Sequence, residues 1–198
     1  MIDQEFTGHL LLMMAPMGSG KSMLVRHTKE NYPAVYFSVS CTTRSPRPNE
    51  IDGVDYYFIS KEEFRKKIDN DEFVEWAEFS GNLYGTLKTE ILDRLANKQV
   101  VLTEIEIQGI EILKPLIPEA NRTILYIEAG GWEVLKRRAQ KRAPMSEEEL
   151  VLRYERYEHE IKVKALADKV INNFDGEAEV AKRDFDNLLK EVFLKVNS

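Results

Sequence analysis

The chain is poor in several things that whole protein classes require. It has one cysteine, Cys41, so no intramolecular disulfide can form and a reducing compartment is expected. No histidine lies near Cys41 in sequence, so a small packed residue is expected there and not a nucleophile. The three histidines, His9, His27 and His159, show no metal-ligand spacing. The apolar run at 9–14 is far shorter than the ~20 residues of a transmembrane helix. The opening M-I-D-Q-E-F-T-G is acidic and polar, unlike a signal peptide. Lys and Arg number 28 against 34 Asp and Glu, a net charge of −6, which argues against a broad nucleic-acid-binding surface. It leaves room for a local basic pocket, since site fields depend on arrangement. The chain shows no internal repeat and no low-complexity segment. A cytoplasmic protein with neither membrane nor nucleic-acid partners is expected, as monomer or homodimer.

With 198 residues, 43% of them hydrophobic, the chain suits one domain with small inserted lobes. Leu10 to Met14 reads as a buried strand that ends in a Pro/Gly-rich turn. A helix is expected from Lys21 to Asn31 and a strand from Val35 to Val39. Residues 41–56 then turn polar, with Pro46, Pro48 and Gly53. Val54 to Ile59 reads as a strand, and Ser60-x-x-Glu63 opens a short helix as a capping box. Phe73 to Phe79 and Leu83 to Thr86 flank Gly81-Asn82 and predict a hairpin. Further on, helix is expected over Glu90–Asn97, after the strand ending at Ile105 to about Leu116, and over Trp132–Arg142. Ser146 to Ala167 reads as one long charged helix, again opening on a capping box. Strands are expected at Val100–Ile105, Thr123–Ile127 and Lys169–Ile171, and a last helix over Glu177–Val196. Strands alternating with helices predict an α/β fold, a parallel sheet covered on both faces.

Residues 15–22, A-P-M-G-S-G-K-S, follow the first strand and open the first helix. A strand, a glycine-rich turn and a helix N-terminus make an anion cradle of inward N–H groups. Gly18 and Gly20 permit close backbone approach, Lys21 can reach outer phosphates, and the Ser22 hydroxyl can ligate Mg²⁺. Ala15 stands where G-x-x-x-x-G-K-[ST] has its first glycine, which fits if its φ is negative. Arg44 and Arg47 sit three apart in a proline-bounded segment, where two guanidinium forks can hold a second phosphate. On spacing alone they read as surface arginines, Glu75 as a solvent-facing strand residue, and Arg138 and Arg142 as a solvated helix face.

The stretch T-T-R-S-P-R-P-N-E-I-D-G-V-D-Y-Y-F at 42–58 resembles the guanylate kinase signature without a gap. F-V-E-W-A-E-F-S-G-N-L-Y-G-T at 73–86 and E-I-E-I-Q-G at 104–109 are similar to that family too. The resemblance runs from about Leu10 to Asn173. It implies a P-loop NTPase three-layer core with an inserted α+β GMP-binding lobe and a helical lid. The core would comprise 1–40, 87–128 and 165–198, the lobe 41–86, and the lid with its flanking helices 129–164. It implies ATP-dependent phosphorylation of GMP and dGMP with Mg²⁺. ATP would sit on Ala15, Pro16, Met17, Gly18, Ser19, Gly20, Lys21 and Ser22, with Asn173 near the adenine. Ser40, Arg44, Arg47, Tyr56 and Tyr84 match the positions that hold the GMP phosphate. Glu75 and Thr86 match those that read guanine, and Glu104 and Glu106 match acidic positions between the nucleotides. Arg138, Arg142 and Arg153 match lid arginines that act in catalysis beside Lys21 and Arg44.

Three departures stand out. Met17 and Ser19 replace the family's usual serine and alanine, Glu106 replaces an aspartate and lengthens the carboxylate by ~1.5 Å, and Arg142-Ala143-Pro144 stands where Arg-Gly is frequent. The last two leave open a catalytically weakened paralogue. The sequence also leaves room for a P-loop kinase with another phosphorylated acceptor, and for a non-catalytic scaffold domain.

Overall fold

H-L-L-L-M-M has no polar face because the strand it forms has none to offer. In the computed structural model, which describes residues 5–79, 81–105, 107–142 and 145–197, β1 (His9–Met14) is buried at every position. It is the middle strand of a five-stranded sheet whose other members are β2 (Val35–Phe37), β7 (Val100–Glu104), β8 (Arg122–Glu128) and β9 (Lys169–Asn172). The order is β2-β7-β1-β8-β9 and every pairing is parallel. Parallel strands need crossovers, and these cover both faces with helices.

The alternation along β1 divides the core. Leu10, Leu12 and Met14 face α3 (Lys88–Ala96) and α4 (Ile107–Leu113), meeting Ile91, Leu95, Ile110 and Leu113. Leu11 and Met13 face α1 (Lys21–Asn31) and α7 (Ala178–Asn197), meeting Leu24, Phe185, Leu189 and Val192. Each such side chain, once buried, contributes about 1.5–3 kcal/mol. Because α1 begins directly beyond β1, residues 15–20 are the turn at the carboxyl end of the central strand, where open α/β sheets bind ligands.

A second sheet has the order β4-β3-β6-β5. It is built from β3 (Cys41–Thr42), β4 (Tyr57–Phe58), β5 (Phe73–Phe79) and β6 (Asn82–Leu87), with α2 (Lys61–Asp69) packed on it through Phe64. Phe64 stacks on Phe73 with ring centroids 4.3 Å apart. Cys41 is buried in this cluster and burial pushes its thiol up to about 11, which removes thiolate chemistry at neutral pH. Both serine N-caps form: Ser60 Oγ accepts from the Glu63 N–H at 3.0 Å, and Ser146 Oγ from the Glu149 N–H at 3.2 Å.

The sequence expectations need four corrections. Val54–Ile59 is strand only at Tyr57–Phe58, because Ile51, Gly53 (φ +75°) and Asp55 build a turn in which the Val54 and Asp55 N–H groups donate to the Ile51 carbonyl. The strand expected to reach Val39 stops at Phe37, since the Val39 N–H donates to a side chain, Glu90, instead of a strand. The two-residue β3 went unread. The long helix expected over 146–167 is α6 (Glu147–Glu160) followed by a 3-10 turn over Ile161–Leu166, which leads the chain into β9 beside β8. A further helix, α5 (Trp132–Arg142), follows β8. Among the described residues no helix is long and apolar enough to cross a membrane.

His9 is 1% exposed, with Nε2 2.8 Å from the Thr123 hydroxyl. Burial, reinforced by the Lys195 charge, lowers its pKa to about 4, below the ordinary 6.5. Above pH 6.5 both folded and unfolded states hold it neutral; between 6.5 and about 4 only the unfolded chain takes up the proton. This residue is therefore expected to remove about 3 kcal/mol of stability as pH falls through that window. Urea unfolding at a series of pH values should show the loss, and H9Q should flatten it.

Candidate active site

The turn between β1 and α1 is shaped by two left-handed glycines. Gly18 has φ +80° and Gly20 φ +97°, values that side chains other than glycine rarely adopt. Ala15 keeps a negative φ and packs against the core, so the missing first glycine costs the backbone nothing. The loop rests on rigid neighbours. The Ser19 N–H donates to the Pro16 carbonyl at 3.1 Å, and the Asn173 amide donates to the Ser19 carbonyl at 2.6 Å from behind. Asn173 is 5% exposed and stands outside the cavity lining, so here it braces the loop.

A cavity of about 680 Å³ opens over this loop. Residues 15–22 form its floor, Arg138 and Trp132 of α5 one wall, and Arg153, Arg156 and Tyr157 of α6 the other. The cations are held by carboxylates. Lys21 pairs with Glu104 at the end of β7. Arg138 donates to Asp175 at 2.9 Å and to the Asn173 carbonyl at 2.9 Å, and with Arg137 it keeps the Asp175 carboxyl below its ordinary pKa. Arg153 donates to Glu149 at 2.6 Å and touches the Met17 sulfur, tying α6 to the loop. The Arg142 side chain, Glu106, Ala143 and Pro144 lie outside the described residues.

A second cavity of about 570 Å³ is lined by Ser40, Arg44, Arg47, Tyr56, Glu75, Tyr84, Thr86 and Glu104. Every member of the second phosphate site and of the base-reading pair that the sequence suggested is thus in one place. Arg44 is the anchor. Both of its terminal nitrogens donate to Glu50, at 2.6 and 2.7 Å, while its guanidinium lies 5.1 Å from the Tyr56 ring centroid. The Arg47 N–H donates to the same carboxylate at 2.7 Å. The Arg44 hydrogen bonds hold the Glu50 carboxyl down to about 2.

Glu75 reaches this cavity because β5 carries a bulge. The register shifts between Phe73 and Glu75, so that Glu75 faces Thr86; an unbroken ladder from Phe73–Leu87 would set it opposite Gly85. The Thr86 hydroxyl donates to Glu75 at 2.7 Å, and Ser40 Oγ lies 3.2 Å from the Thr86 oxygen. A carboxylate beside a hydroxyl, in a cavity rimmed by arginines, suits a planar ring with adjacent N–H donors attached to an anion.

Sequence reasoning missed Arg156, which lines both cavities. Its Nε donates to Glu160 at 2.8 Å. The signal was available: Arg156 follows Arg153 by three and shares its helix face. It also missed Glu50, whose place after R-S-P-R-P-N put it within reach of both arginines. Gly20→Ala tests the cradle. A Cβ there would sit 2.1 Å from Asn173 Nδ2 at a backbone angle alanine resists. Calorimetry is expected to show ATP binding weakened at least about tenfold.

Comparison with known proteins agrees with this geometry. A family model described as guanylate kinase matches residues 7–190. The chain is 38% identical over 170 residues to a guanylate kinase of Synechococcus sp. (strain CC9311), covering 86% of this chain and 88% of that one. It is 37% identical over 176 residues to a guanylate kinase of Nostoc sp. (strain PCC 7120), covering 89% and 87%. The crystal structure of guanylate kinase from Anaplasma phagocytophilum superposes with a TM-score of 0.70 at 26% identity, over 95% of this chain and 87% of that one. A strand-loop-helix anion cradle in a parallel sheet, and relatives that match along nearly all of its length, establish that this chain belongs to the guanylate kinase family, with a P-loop NTPase fold.

Proposed function

We propose that the protein transfers the γ-phosphoryl group of ATP to GMP, and to dGMP, giving ADP and GDP or dGDP. The observation that carries this reading is the meeting of two cation-lined cavities at Arg156, one over the glycine loop and one holding the Glu75–Thr86 pair. In this reading 1–40, 87–128 and 165–198 form the nucleotide core, 41–86 the acceptor lobe and 129–164 the lid.

The donor phosphates lie on the 15–22 backbone with Lys21 at the outer phosphates. The acceptor phosphate takes Arg44, Arg47, Tyr56 and Tyr84, with Ser40 at its edge. An oxygen of that phosphate attacks the γ-phosphorus; the bond from the γ-phosphorus to the bridging oxygen breaks, and ADP leaves with the electron pair. Little covalent work falls to the protein. Lys21, Arg138, Arg142, Arg153 and Arg156 supply fixed positive charge where negative charge spreads. Closure of 129–164 excludes water as a competing acceptor.

The residues suit Mg²⁺ arriving with the nucleotide. Ser22 offers a hydroxyl in the first turn of α1, and the Glu104 carboxylate stands over the neighbouring Lys21. Among the described residues no group of three His, Cys, Asp or Glu could hold a metal alone, and Mg²⁺ characteristically takes one or two protein oxygens with phosphates and water. When bound, the ion would neutralise phosphate charge; Ser22 would hold it, with Glu104 beside Lys21.

Glu75 sets the base. Its carboxylate accepts from guanine N1–H and the 2-amino group, with the Thr86 hydroxyl fixing its orientation. Adenine lacks that donor pair and would leave the carboxylate short of donors. In an ADP-release assay with Mg²⁺·ATP, GMP and dGMP are expected to be turned over and AMP, CMP and UMP hardly at all. Silence with every acceptor would sink this reading. E75Q is expected to lower kcat/KM for GMP by about ten- to a hundredfold, with KM for ATP nearly unchanged.

A further inference from the structure

Glu90, in the first turn of α3, is 5% exposed and lines neither cavity. Its carboxylate is nevertheless where three segments converge. The Tyr36 hydroxyl donates to Oε2 at 2.8 Å and the Val39 N–H donates to the same oxygen at 2.9 Å. The Tyr57 hydroxyl donates to Oε1 at 3.4 Å. Tyr36 belongs to β2 of the large sheet and Tyr57 to β4 of the small one, so one carboxylate joins the two sheets. Arg94, one turn further along α3, lays its guanidinium 3.2 Å from the Tyr36 ring centroid and adds positive charge beside the cluster.

The residues pinned by Glu90 flank Ser40. Val39 precedes it, and the Tyr57 N–H donates to the Ser40 carbonyl at 2.9 Å. Ser40 Oγ in turn lies 3.2 Å from the Thr86 hydroxyl, which donates to Glu75 at 2.7 Å. A continuous path therefore leads from a buried carboxylate outside the cavity to the carboxylate that faces the base. Burying a carboxylate is costly unless donors surround it, and removing it would leave the Val39 N–H and two tyrosine hydroxyls without their acceptor.

We propose that Glu90 is a positioning residue for guanine recognition, holding Ser40 in place and through it the Thr86–Glu75 pair. This rests on the ATP:GMP reading above. The test is titration calorimetry of GMP and of ATP, each alone, on the wild type, E90Q and Y36F, with KM for both substrates measured alongside. In E90Q one acceptor oxygen becomes an NH₂ donor, so at least one of the three groups that donate to Glu90 loses its acceptor. GMP affinity is expected to fall about tenfold while ATP affinity stays within about twofold, with the same split in KM. Y36F removes one donor, is expected to shift GMP in the same direction by less, and decides the matter if E90Q fails to fold. Unchanged GMP affinity, or equal losses for GMP and ATP, overturns the positioning role, the latter being what mere loss of stability gives. A wild type that binds ATP but not GMP overturns the functional reading itself and this proposal with it.

Discussion

Burial of β1 on both faces is the constraint from which the rest follows. A strand with no solvent-facing side must lie mid-sheet with helices above and below it, and the alternation of Leu10, Leu12 and Met14 with Leu11 and Met13 distributes those helices. The chain leaving such a strand has nowhere to go but outward over the sheet's carboxyl edge. The anion cradle occurs at that exit, where N–H groups of the turn and the start of α1 have no strand partners. The phosphate loop is thus a consequence of core packing as much as a motif. Its two left-handed glycines lean on Leu135 and Asn173 and leave the inner surface open.

How much of this was legible depended on whether local chemistry or long-range pairing decided the outcome. The apolar run, both serine N-caps, the β5–β6 hairpin and the glycine loop are local, and the sequence carries each of them openly. The tight turn at Ile51–Asp55 is held by bonds within itself and was still misread; the break of the long helix at Glu160 is settled by contacts distant in sequence, where the chain turns to pair β9 with β8. The bulge in β5 belongs to the same class. Nothing in F-V-E-W announces that Val74 tucks into the large core while Phe73 joins the small one, yet that extra residue is what turns Glu75 toward Thr86.

The site residues divide in the same way. Lys21, Arg44, Arg47, Glu75 and Thr86 could be singled out because they sit in long motifs that resemble a family. Arg156 and Glu50 carried a local signal that went unread; Glu90 carried none, because its importance comes from what it touches. Glu90 reads as an ordinary charged residue opening a helix; only the fold brings β2 and β4 to it. Asn173, expected beside the adenine, also braces the loop through the Ser19 carbonyl.

Lys21, Arg44, Arg138 and Arg153 each face a carboxylate: Glu104, Glu50, Asp175 and Glu149. An arriving anion would not meet bare positive charge there; it would have to share each cation with a partner already in place, or take it. Entry and departure of an anion would then be exchanges, with an internal carboxylate waiting to recapture each cation. Such a site would hold an anion less tightly than its cations alone would allow. It also screens its visitors: a lone chloride or sulfate offers one contact for each pair it breaks, whereas only a ligand that engages several cations at once recovers what the displaced carboxylates gave up.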